Sequence, residues 1–250
     1  MLLIFILLAV FVASVLSLFG GVIILVKNKG EFDLEKNMEI TAFAAGALMA
    51  TAFFDLIPEA ISEMKDVSSF SLWFFCGVVT LFILEKTLLW YHNHHEPHDS
   101  MSPAVWLITI GDSIHNFLDG VAISAAFLTN PTLGFATTLA VFLHEIPHEL
   151  VDFEILLSHG AGRARTLVLN LVSSLTALLG AILMYWLSTR LSSSIPIILA
   201  FAAGNFLYIT LADLIPELNS RDPSKQKTLK QIMMFTLGIV LILGFKRLIP

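Results

Sequence analysis

Two groups of imidazoles and carboxylates stand where apolar residues surround them. HEIPHE, residues 144–149, interrupts an apolar run from Leu133 to Leu157. Asp112 with HNFLDG, residues 115–120, interrupts the run before it. An ionisable side chain at bilayer depth costs roughly 2.5–3.5 kcal/mol on insertion scales, so such groups are seldom without a task. At 3.6 residues per turn, Asp112, His115, Asn116 and Asp119 fall on one helical face about 100° wide. His144, Glu145, His148, Glu149 and Asp152 fall on one of about 140°. Two such faces set against each other offer imidazole nitrogen and carboxylate oxygen from several directions. That donor set suits Zn²⁺, and Fe²⁺ or Mn²⁺ less well. It is large enough for two neighbouring ions, and multi-site binding lets an ion enter and still leave. His115, Asn116, Asp119, His144, Glu145, His148 and Glu149 are the candidate metal-binding residues. Asp112 and Asp152, nearer the ends of the cluster, position or admit ions. Pro147 removes an N–H and obstructs the carbonyl of Leu143, which predicts a kink at the ligands. The competing role, interhelical hydrogen bonding, suits a single buried His or Asn better than two facing stripes.

The elements that must position these groups are membrane spans. The 250 residues are 56% hydrophobic and 14% charged, well below the quarter of charged residues usual in a soluble domain, which predicts an all-α integral membrane protein. The net charge of −6 comes with no basic stripe, so nucleic acid is not an expected partner. Cys76, the single cysteine, excludes an internal disulfide and a Cys-based zinc site. Eight apolar stretches of about 20 residues, each long enough for the hydrocarbon core, predict eight transmembrane helices near 2–26, 38–61, 70–91, 103–128, 132–158, 164–188, 194–218 and 229–248. Connectors are short, so residues 1–250 read as a single transmembrane domain. The first stretch lacks a basic leading segment and reads as a span, not a cleaved signal.

Lysine and arginine set the expected orientation. Ten of them (Lys27, Lys29, Lys36, Lys86, Arg163, Arg165, Arg221, Lys225, Lys227 and Lys230) lie near the connectors after spans 1, 3, 5 and 7. Four (Lys65, Arg190, Lys246 and Arg247) lie on the other side, which places both termini outside the cytoplasm. Trp90, Tyr91 and Trp106 near one boundary, with Trp73, Tyr185 and Trp186 near the other, fit aromatic belts. AFAAGALMATAFFDLIPEA from Ala42 and AFAAGNFLYITLADLIPEL from Ala200 share FAAG and DLIPE at an offset of 158 residues. Span 2 runs outward and span 7 inward on this orientation, so the repeat is an inverted 3+2+3, an arrangement found in transporters with the site near the midplane.

HNFLDG followed by HEIPHE on consecutive spans resembles the ZIP family of divalent-metal transporters, in its zinc-transporting branch with HNFxDG and HExPHE motifs. FAAGNFLYITLADLIPEL is similar to that family's seventh span. The resemblance implies eight spans, extracytoplasmic termini, a two-metal site between spans 4 and 5, and a homodimer. It implies Zn²⁺ as transported substrate, with Fe²⁺, Mn²⁺ and Cd²⁺ as alternatives, moving towards the cytoplasm. The compactness of the chain suits the cell membrane, and no prosthetic group is expected. By position, His115, His144 and His148 would hold the transported ion, while Asn116, Asp119, Glu145 and Glu149 would hold or hand on a second. Val151 stands where the family commonly has Gly, and Asp55 where many relatives have His, which bears on packing and on zinc preference.

Other polar residues carry weaker expectations. Asp55 with Glu59, and Asp213 with Glu217, are i, i+4 pairs around Pro58 and Pro216, readable as vestibule carboxylates or as helix-end charges. Met49 and Asn205 are possible contacts to the ligands. HNHHEPHD, within the 92–102 connector, predicts weak cytoplasmic metal binding. A rival reading takes HEIPH as the H-E-x-x-H of an intramembrane zinc protease, with Glu145 as base and Asp119 as third ligand. It leaves His115, Asn116, Glu149 and the repeat unexplained. A passive metal sensor is a third reading, which would bind without translocating.

Overall fold

The structure is a computed structural model that describes residues 1–19, 22, 34–94, 103–190, 192–219 and 224–248. The side chains of the histidine-rich 92–102 segment lie outside the described residues, as do those of Lys27, Lys29, Lys36, Trp90, Tyr91, Arg221 and Lys246. Among the described residues the chain forms eight helical rods and no strand. The first, α1, is Leu2–Val10 prolonged by a π-helical stretch, Phe11–Val15. The second, α2, joins Leu34–Thr51, a π segment Ala52–Leu56 and Ile57–Met64. Then come α3 (Val67–His94), α4 (Pro103–Thr129), α5 (Pro131–Ser158) and α6 (Arg163–Ser188). The seventh, α7, joins Ile195–Tyr208, a π segment Ile209–Leu214 and Ile215–Asn219, and α8 is Lys225–Leu248. Six rods are long and apolar enough to cross a membrane by length and composition: α1, α2, α3, α6, α7 and α8. The other two, α4 and α5, carry the ionisable groups.

The π segments of α2 and α7 have a sequence cause. A proline obstructs the carbonyl four residues before it. For Pro58 that is Phe54 and for Pro216 it is Ala212, and each lies inside a π segment. Widening the turn there accommodates the ring without ending the helix, and such bulges gather at functional sites. Asp55 is carried on one of them and is buried. Pro147 also sits inside its helix, which remains assigned as one α-helix from Pro131 to Ser158. That helix is started by Asn130, whose side-chain oxygen accepts from Leu133 N at 2.8 Å, followed by Pro131 in the first turn.

Helices in lipid associate through close packing of small residues, since burial of apolar surface gives no drive there. Three pairs do so through reciprocal contacts in which a Cβ on a glycine would overlap the partner's backbone oxygen. Gly46 meets Phe235 and Gly238 meets Phe43, joining α2 to α8. Gly204 meets Phe74 and Gly77 meets Phe201, joining α7 to α3. Gly120 meets Ala177 and Gly180 meets Phe117, joining α4 to α6. The repeat noted in the sequence thus has a packing counterpart: Phe43 and Gly46 shifted by 158 are Phe201 and Gly204. Phe74 and Gly77 shifted by 161 are Phe235 and Gly238. The α4–α6 pair carries α5 against α4, and α5 in turn packs on α2 and the π segment of α1. Both polar faces are thereby enclosed.

Candidate metal centre

Four side chains from α4 and α5 converge on one point. The Nε2 atoms of His115 and His144 are 3.3 Å apart. His115 Nε2 is 3.7 Å from Asp119 Oδ2 and 3.3 Å from Glu145 Oε1. His144 Nε2 is 3.2 Å from Asp119 Oδ2 and 3.5 Å from Glu145 Oε1. A tetrahedron whose ligands lie about 2.0–2.1 Å from a zinc ion has edges of about 3.3–3.4 Å. Five edges of this cage, from 3.2 to 3.7 Å, bracket that value.

Its chemistry fits a dication in three further ways. His144 Nδ1 lies 3.1 Å from the Ala140 carbonyl, which can only accept, so Nδ1 carries the proton and Nε2 presents its lone pair inward. Asp119 Oδ2 and both Glu145 carboxylate oxygens are buried without a hydrogen-bond partner. Such orphans call for a cation, since a buried polar group left unsatisfied is costly. In the deprotonated forms that bind metal, two carboxylates and two imidazoles sum to −2, the charge one divalent ion cancels.

A second cluster lies alongside. His148 Nδ1 is 3.5 Å from Asp152 Oδ2 and 3.9 Å from Asp112 Oδ1. The His148 ring stacks on His115 with centroids 4.7 Å apart, so the two clusters share a wall. Asn116 donates from Nδ2 to Asp112 Oδ1 at 2.8 Å, and its own Oδ1 is buried without a hydrogen-bond partner. Glu149 is fully buried, with Oε1 accepting from Ser174 Oγ at 2.9 Å. The grouping differs from the sequence expectation. His148 does not stand with His144, and Asp119 and Glu145 do. Asp112 and Asp152, expected at the margins, complete the second cluster with His148.

A cavity of about 230 Å³ opens beside this second cluster, lined among others by Asp112, His148, Asp152, Glu85, Tyr208 and Asp213. It touches His115 on the cage's edge, while His144 and Glu145, both fully buried, lie behind. Asp213, one of the vestibule candidates, does face the cavity. Glu85, to which spacing assigned nothing, accepts from the Tyr208 hydroxyl and joins α3 to α7 at the same place. Asn205 is buried with Oδ1 lacking a hydrogen-bond partner, and His144 packs near Phe206 at 6.1 Å. Asn170, Ser173 and Ser174 of α6 were not singled out. Their i, i+3, i+4 spacing in an apolar helix is the same signal that marks α4 and α5, though without a charge.

The H-E-x-x-H reading needs His144 and His148 on one ion. They point into different clusters, so a protease site has no geometric support.

Comparison with known proteins agrees with the motifs. The chain is 40% identical over 153 residues to zinc transporter foi of Drosophila melanogaster, covering 60% of this chain and 21% of that protein. It is 32% identical over 224 residues to zinc transporter ZIP13 of Pongo abelii, covering 83% of this chain and 66% of that protein. It is 47% identical over 119 residues to zinc transporter ZIP4 of Homo sapiens, covering 47% of this chain and 18% of that protein. The matches thus span between 18% and 66% of these relatives' own lengths. The family described as ZIP Zinc transporter matches residues 2–104 and 91–246, nearly the whole chain. With its apolar helices and buried His/carboxylate centre, this multi-pass membrane protein belongs to the ZIP zinc transporter family.

Proposed function

We propose that the chain moves divalent metal ions, Zn²⁺ first among them, across a membrane by alternating access through the α4–α5 centre. The observation that carries this reading is the cage of His115, Asp119, His144 and Glu145, with its zinc-like edges. An ion entering it exchanges water for two imidazole nitrogens and two carboxylate oxygens. His148, Asp112 and Asp152, with Asn116 and Glu149 beside them, take the ion on, or hold a second one, next to the cavity. Glu85 and Asp213 line that cavity and favour a cation leaving through it. Ligand protonation competes with metal, so acid on the releasing side assists release. No bond in the cargo is made or broken, so the chain needs no catalytic residue and no prosthetic group.

The bias of ten Lys/Arg against four supports extracytoplasmic termini and a cavity that opens to the cytoplasm. We assign the cell membrane to the chain, and release from that cavity would deliver the ion to the cytoplasm. The inverted sense of the repeat follows from the same orientation, with α1–α3 and α6–α8 as halves around α4 and α5.

The deciding experiment is radioactive zinc uptake by liposomes holding the purified chain, beside the His115→Ala, His148→Ala double variant. Uptake lost in the variant is expected. Zinc bound but never reaching the lumen in the unmodified chain would overturn transport.

A further inference from the structure

The α6 helix contributes to the centre although its charged residues, Arg163 and Arg165, lie in its first turn, away from the centre. Asn170, Ser173 and Ser174 are buried on its inner face. Ser174 Oγ lies 2.9 Å from Glu149 Oε1 on α5 and 2.7 Å from the Asn170 carbonyl one turn back. A hydroxyl has one proton for these two acceptors. A carboxylate is the stronger acceptor, and the Asn170 carbonyl is the ordinary fallback of a helical serine. Glu149 Oε2 remains buried without a hydrogen-bond partner. Glu149 shares the polar face of α5 with Glu145, four residues before it, and Asp152, three residues after.

We propose that Ser174 is a positioning residue for the second ion: by holding Glu149 Oε1 from α6, it turns Oε2 towards the ion carried by Asp112, His148 and Asp152. This rests on the two-ion reading of the centre. It makes α6 a third wall of the ion path, fixed to α4 by the Gly120–Ala177 and Gly180–Phe117 contacts. The same wall carries the Thr176 hydroxyl, 2.6 Å from the Ser113 carbonyl of α4. Ser174 therefore cannot shift relative to Asp112 without breaking that seam. An outer-shell hydrogen bond of this kind governs the direction in which a ligand oxygen presents itself, and its loss typically weakens metal binding roughly tenfold or more.

Calorimetric titration of the detergent-purified full chain with zinc tests this without relying on transport. Two sites are expected. S174A should weaken the weaker site about tenfold and leave the tighter one unchanged. S188A, on the same helix but away from the centre, should change neither. In an E149Q background, adding S174A should have no further effect, because the group it orients has already lost its charge. An S174A titration that overlays the unmodified chain would overturn the proposal. So would an equal tenfold loss with and without E149Q, which would mark Ser174 as merely structural. Zinc uptake into liposomes, measured on the same preparations, judges transport separately. Two sites with the Ser174 effect but no uptake would overturn transport and keep Ser174. Normal uptake with unchanged S174A binding would do the reverse, and a single site in the unmodified chain would overturn the two-ion reading and the Ser174 proposal with it, leaving transport to the uptake assay.

Discussion

The two ligand clusters sit side by side on the same two helices, yet they are built differently. The cage of His115, Asp119, His144 and Glu145 is enclosed, and its measured edges lie between 3.2 and 3.7 Å. The cluster of Asp112, His148 and Asp152 has three donors, looser separations of 3.5 and 3.9 Å, and a half-exposed histidine facing the cavity. Four well-placed donors in a dry site hold a dication tightly. Three donors beside water hold it weakly and let it go. A transporter needs both properties within a short distance, and the rings of His115 and His148, stacked with centroids 4.7 Å apart, form the wall between the two clusters.

The comparison is open to direct attack. Removing a cage ligand should do the most damage: His144→Ala is expected to lower zinc uptake more than about 100-fold, beyond the range for outer-shell partners. Membrane insertion should be intact, and uptake at the unmodified rate would dissolve the cage. Asp152→Asn should slow uptake about tenfold while zinc affinity at the tight site, measured by calorimetry, stays within about twofold. Equal losses in both readings would make the clusters one site. His144→Glu converts the cage to three carboxylates and one imidazole, a harder donor set. Competition uptake should then show zinc losing a few-fold of its preference over manganese, and unchanged ratios would count against imidazole as the selecting group. The smallest effect is expected from Tyr208→Phe, which leaves Glu85 in the cavity without its hydroxyl partner. Uptake rates within about twofold of the unmodified chain follow from the modest net worth of one partly exposed hydrogen bond. A loss as large as that of Asp152→Asn would move the decisive step out to the cavity mouth.

Much of this was legible beforehand because hydrophobic periodicity and polar interruption are local properties. The rods follow the apolar stretches, although α3 continues to His94 and α8 begins at Lys225. The π segments are not visible in a hydropathy pattern, yet Pro58 and Pro216 are, and each lies just beyond the widened turn. The glycine seams were half visible. FAAG was read as a repeat, but F-x-x-G also occurs at Phe74–Gly77, Phe117–Gly120 and Phe235–Gly238, and its meaning as paired helix crossings needs both helices in view. Ser174 and Tyr208 carry no distinguishing signal in the sequence, because an uncharged hydroxyl in an apolar helix is common and bonds its own backbone at little cost.

The sequence by itself determined that α4 and α5 each carry one polar face and that imidazole and carboxylate meet between them. Helical spacing fixes which side chains share a face, whatever surrounds the helix. The resemblance grouped His148 with His144, but spacing alone allows either neighbour, since His144 stands four residues before it and Asp152 four residues after. Only the tertiary structure chose. The packing of α5 against α4 turns His144 towards Asp119 and His148 towards Asp112. That rotation is set by how whole helices pack together, which no local spacing encodes.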